Sequence, residues 1–209
     1  LSTVRLRLTS ASFALAGLLF VLYPAIRPFS DETSLRAAAA WASNAWVVSH
    51  SLAIFAFVLL VLGLFGVYLS LQRTAAEPTM LAALVASWVG VGLTLPFYGA
   101  EVFGLHALGQ AAVKQSNASL VGLGNDVRGE PGIYFIVVGL VLLGVGVIVF
   151  AIAAWRSGVL IRWIGIPLAV GVALYLPQFE ATQPLRVAHG LVMAAGCGLV
   201  AWNLLASLR

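Results

Sequence analysis

Charge is what this sequence has least of. Only 9% of its 209 residues are Asp, Glu, Lys or Arg, against about a quarter in an ordinary soluble domain, and that shortage excludes a water-soluble fold. Cysteine is nearly absent as well. Cys197 stands alone, which rules out an intramolecular disulfide, and its neighbours Ala195, Gly196 and Gly198 give it a packing role rather than a reactive one. The 11 Lys and Arg are scattered singly, so the formal charge of +4 is no nucleic-acid footprint. The chain also lacks an HExxH or HxxxH spacing, an internal repeat and any low-complexity tract.

What is present is apolar. Hydrophobic residues make up 62% of the chain and the mean hydropathy is +1.05. A helix crossing the hydrocarbon core takes about 20 residues, so most of the chain belongs in lipid. The expectation is an all-α fold: residues 1–209 as a single transmembrane domain, an integral membrane bundle of about six helices. The spans fall at 9–26, 45–71, 79–113, 132–155, 158–176 and 185–205. The first follows Arg5 and Arg7 as a signal peptide would, but no small-x-small cleavage site leads into a polar start, so it reads as a helix. Ser30 to Thr33 resembles a helix N-terminus, and the Ala-rich 35–41 predicts a short helix on the membrane surface. Trp41 and Trp46 are expected in the aromatic belt.

The third span is too long to cross straight. At 1.5 Å per residue 79–113 would extend about 52 Å, which predicts a kink where Pro96 removes a hydrogen bond. Residues 114–131 form the one substantial polar connection, either an ordinary flexible loop or a lid. Gly190, Ala194 and Gly198 on the last span, with Gly165 and Ala169 on the fifth, predict close helix contacts.

Orientation rests on the cations. With the N-terminus cytoplasmic, Arg5, Arg7, Arg73, Arg156, Arg162 and Arg209 lie inside, and Arg27, Arg36, Lys114, Arg128 and Arg186 outside. The split is nearly even. The loop acids Asp31, Glu32, Asp126, Glu130 and Glu180 fall outside and Glu77 inside, so the expectation is a multi-pass protein of the cell membrane with both termini cytoplasmic.

Depth then sorts the polar residues. His50 lies about 9 Å inside the second span and Glu101 about 33 Å from the start of the third, so both reach one outer layer with His106 and His189. Tyr98 and Tyr175 join it. Glu101 is a carboxylate among aromatic and apolar neighbours, and ionisable groups at such depth face a cavity. Burial would neutralise it unless a histidine, an arginine or a metal stands opposite.

Two chemistries use these residue types. In acid–base catalysis Glu101, His106 and Tyr98 carry protons while Phe97, Phe103, Trp46, Tyr175 and Arg186 bind a lipidic or isoprenoid substrate, Arg186 either snorkelling to headgroups or holding an anionic group. Such a protein would resemble in kind, through no shared motif, the small all-helical membrane terpene cyclases. In metal coordination His50, His106 and His189 would hold one divalent ion, or a histidine pair a haem. Glu101 and His106 stand about 140° apart on a regular helix, which opposes a shared ion. A third reading is a small proton-coupled transporter titrating at Glu101, without the charge pairs or inverted repeat that reading favours.

The phrases Leu95-Pro96-Phe97-Tyr98-Gly99-Ala100-Glu101 and Leu174-Tyr175-Leu176-Pro177-Gln178-Phe179 resemble small multi-spanning membrane proteins of high-GC bacteria. The resemblance covers most of the chain and implies no activity, cofactor or partner.

Overall fold

A computed structural model of the chain describes residues 2–208, so Arg209 lies outside the described residues. Among these residues the regular structure is helical, without strands. Helix α1 is Thr3–Ile26, α2 Leu35–Trp41, α3 Asn44–Leu71, α4 Glu77–Gly99, α5 Leu105–Gln115, α6 Leu123–Arg128, α7 Gly132–Ser157, α8 Ile166–Ala173 and α9 Gln183–Ala206. The starts are set by local chemistry. Ser34 Oγ accepts the Arg36 N–H at the head of α2, Ser43 Oγ accepts the Trp46 N–H at the head of α3, and prolines occupy the first turns of α4, α8 and α9. Helix α7 stops at Gly158, whose left-handed φ of +64° costs glycine no strain.

Five helical stretches are long and apolar enough to cross a membrane, not six: α1, α3, the 39 residues Glu77–Gln115, α7 and α9. The exception is the stretch expected at 158–176. It contains turns, the eight-residue α8 and a 3₁₀ turn at Pro177–Glu180. Gly158, Pro167 and Pro177 interrupt it. Even so it runs the length of the bundle, with Gly165 against Ala151 of α7, Leu168 against Gly196 and Gly171 against Met193 of α9. Its other face is exposed, with Val159, Trp163, Ile166, Val170 and Leu174 pointing outward.

Glycines bring the long helices together. A Cβ on Gly90 would meet Leu143 N at 2.5 Å and one on Gly146 would meet Ser87 N at 2.7 Å, so α4 and α7 pack backbone to backbone, antiparallel. Gly17 meets Ala194 and Cys197, and Gly190 meets Phe20, which fixes α1 against α9. Gly198, expected on that seam, faces open space, and buried Cys197 takes its place. Outward-facing side chains are large and apolar, among them Phe55, Trp88 and Trp202, as a lipid-facing surface requires. Trp41 and Trp46 are not belt residues. Each is 1% exposed in a small apolar cluster with Leu105, Ala112 and Val121, which α2 and the 114–131 connection close from outside.

Candidate functional site

Helices α4 and α5 continue one another through a π turn at Ala100–Gly104, where the Leu105 N–H reaches back to the Ala100 carbonyl. The departure from α geometry falls just after Pro96, which stands inside α4. The turn gives the Glu101 carbonyl an off-helix donor, Trp46 Nε1, at 2.7 Å. It also presents the Glu101 side chain to a cavity of about 420 Å³ at this end of the bundle. Tyr23, Arg27, Glu32, His50, Phe97, Tyr98, Arg128, Ile136, Phe179 and Arg186 line it with Glu101. The exposed residues on its lining include Ile133 and Val137 of α7 and the carboxylates Glu32 and Glu180.

Glu101 is 7% exposed and paired. Arg128, brought in by α6, donates from Nε to Oε1 at 2.5 Å and from Nη2 to Oε2 at 3.3 Å. Its Nη1 donates to Glu32 Oε2 at 2.6 Å, and Glu32 Oε1 accepts Arg27 Nη2 at 3.1 Å. The 114–131 connection contains a 3₁₀ turn at Ala118–Gly122 and helix α6, whose Arg128 lines the cavity. Burial opposes the Glu32 charge, but the guanidiniums of Arg128 and Arg27 outweigh it and hold the carboxyl below the usual range. Burial likewise works to lower the Arg128 pKa, and Glu101 and Glu32 more than reverse it. Glu32 has φ 58°, a left-handed conformation uncommon for a non-glycine residue, and its two arginine partners hold it there.

His50 faces the same carboxylate. Its Nδ1–H donates to the Trp46 carbonyl at 2.9 Å, which fixes the ring and leaves Nε2 3.6 Å from Glu101 Oε2. The rings of Tyr23 and Trp46 lie 5.3 and 4.1 Å from the imidazole, centre to centre. Tyr98 and Tyr175 join hydroxyls at 3.0 Å, and Tyr175 packs below them on Phe20, Phe57 and His189.

Of the sequence-derived candidates, Glu101, Tyr98, Phe97, His50 and Arg186 border the cavity. Trp46 and Tyr175 support it from behind. His106 points elsewhere: its Nδ1–H donates to the Trp41 carbonyl at 2.8 Å and its Nε2 accepts from Gln110, because the π turn does not bring it onto the Glu101 face. Phe103 is 70% exposed on the outer surface. His189 donates from Nε2 to the Gly171 carbonyl at 2.7 Å, tying α9 to α8. The three histidines thus serve three different carbonyls. Among the described residues no group of three His, Cys, Asp or Glu side chains is arranged to hold a metal ion.

Tyr23, Arg27, Glu32 and Arg128 escaped the sequence reading. Tyr23 sits in an apolar span with nothing to mark it, and Arg27, Glu32 and Arg128 sit in connections, where a charge signals topology first. The available signal was the single long polar connection, with Arg128 near its end.

Chemically, a forked guanidinium is the partner of a carboxylate anion, not of a neutral carboxylic acid. The groups on the cavity wall able to exchange a proton are then His50 Nε2, as an acceptor, and the tyrosine hydroxyls, as donors. Comparison with known proteins finds no matching family model, no matching curated protein and no matching solved structure.

Proposed function

We propose that the protein is a membrane enzyme that moves a proton on a lipidic or isoprenoid substrate held in this cavity. In this reading the chain crosses the membrane six times, residues 158–182 making the fifth crossing, with both termini cytoplasmic. His50 Nε2 takes the proton and Glu101 stabilises the imidazolium so formed. The proton then returns to a different atom of the substrate, an isomerisation, and Tyr98 and Tyr23 donate hydrogen bonds to its polar end.

The observation that carries this reading is the 3.6 Å approach of His50 Nε2 to a carboxylate inside a cavity that Phe97, Ile133, Ile136 and Val137 help to line. The Nδ1–H bond to Trp46 holds the ring so that the second nitrogen faces the cavity. Proton-initiated cyclisation, the other acid–base reading, needs Glu101 as a neutral acid. Arg128 stands against that.

The test uses purified protein in nanodiscs, supplied with a total lipid extract of its host membranes in D₂O. Mass spectrometry should find one lipid class gaining deuterium at carbon, and His50→Gln should slow the gain by about 10² to 10⁴. No exchange in the wild type, or equal exchange in the variant, would overturn the reading.

A further inference from the structure

The charges around the cavity do not pair off completely. Glu32 and Glu101 are both engaged by Arg128, and Glu32 by Arg27 as well. Glu180 also borders the cavity but is exposed. Among the described residues Arg186 has no carboxylate within ion-pair distance. Its Nε donates to the Ala181 carbonyl at 2.8 Å and its Nη2 to that of Phe179, so a full positive charge stands half-buried with only neutral acceptors.

Arg27 is the second anomaly. Its side chain is 8% exposed and its Nη2 is spent on Glu32, yet its buried Nε has no hydrogen-bond partner. Native structures seldom leave such a donor unsatisfied, because its lost hydration is not replaced. The two guanidiniums gather at one ring: the Arg27 and Arg186 carbons lie 4.6 and 5.1 Å from the centre of Phe29. The Arg27 charge works against that of Arg186, and an anion beside them relieves both.

Resting on the reading of the cavity as a site for a lipidic substrate, we propose that Arg27 and Arg186 form its anion subsite. The ligand is an anionic amphiphile. Its phosphate or carboxylate oxygens pair with the two guanidiniums, and its chain leaves past Ile133 and Val137 into the lipid. The subsite sets which molecules enter and needs no chemistry to do so, so it is testable by binding alone.

The probe is dodecyl phosphate, added to the full chain in nanodiscs of neutral lipid, with dodecyl maltoside and inorganic phosphate as parallel arms. We expect saturable binding of dodecyl phosphate, read by calorimetry and by a rise in melting temperature, and none of either comparator at the same concentration. Arg186→Gln, which keeps an N–H for the carbonyls, should weaken binding at least tenfold. Arg27→Lys, which keeps the charge beside Glu32 but loses Nε, should weaken it less. Arg36→Gln, an exposed arginine on α2, should bind as the wild type does.

Equal binding of the maltoside, or unchanged binding in Arg186→Gln with the variant folded, would overturn the subsite. Inorganic phosphate binding as tightly would overturn the amphiphile and leave a free anion as the ligand. If Arg186→Gln does not fold, Arg27→Lys decides, and unchanged binding there overturns the proposal. Binding without deuterium exchange leaves the subsite standing while the proton-transfer reading falls.

Discussion

Arg128 does more at this site than its place in a surface connection suggests. One guanidinium holds Glu101 through a fork and Glu32 through its remaining nitrogen, joining α6 to the π turn and to the segment ahead of α2. Removing one partner of a buried pair strands the other, which costs about 3 to 5 kcal/mol. Arg128 is 21% exposed on its side chain, so the lower end applies. Arg128→Gln and Glu101→Gln should each lower unfolding stability in detergent, and the double variant should lose clearly less than the two losses added. Strict additivity would mean that the pair contributes no coupling. At this scale Glu101 was legible, since a lone carboxylate in an apolar run announces itself. Its partner was not. Their separation of 27 positions carries no distance, and an arginine in a loop looks the same whether it faces water or folds back over a cavity.

The elements divide between those that hydropathy finds and one that it cannot describe. Four of the long spans match their expected ranges to within a few residues, because lipid demands both apolar side chains and a helical backbone. α2 also formed over 35–41 as expected, although α2 and the connection beyond α5 bury the nearby tryptophans rather than leaving them at the interface. The 158–182 stretch is apolar enough to pass for a helix, but hydropathy measures immersion and not hydrogen bonding. Its short helix leaves carbonyls unpaired at its end. One of them, Gly171, is taken by His189, a residue read from sequence as a metal ligand. His189→Leu should therefore destabilise the protein by about 1 to 3 kcal/mol, the cost of a buried acceptor left without a donor. His189→Gln, which can still donate, should recover part of that loss. The measurement is unfolding of both variants under identical conditions, and a wild-type midpoint for His189→Leu would show that the carbonyl finds another donor.

Across the whole molecule the antiparallel seams put the starts of α1 and α4 and the ends of α3, α7 and α9 at one end of the bundle. The cavity is at the other. The first end carries Arg5, Arg7, Arg73, Arg156 and Arg162 against the single carboxylate Glu77. The cavity end carries five cations against six carboxylates. Orientation follows the count of cations near the spans, and five at each end among the described residues set none, so labelling decides it. The orientation proposed above, which puts the cavity in the outer leaflet, is testable by labelling. Cys197 is fully buried against Gly17, so Cys197→Ala gives a background in which a new thiol reports its own side. Asn125 on α6 and Gln72 after α3 are both exposed, at opposite ends. In intact cells a membrane-impermeant maleimide should modify Asn125→Cys at once and Gln72→Cys only after permeabilisation. The reverse pattern would turn the bundle over, place the cavity in the cytoplasmic leaflet and require its amphiphile to come from that side.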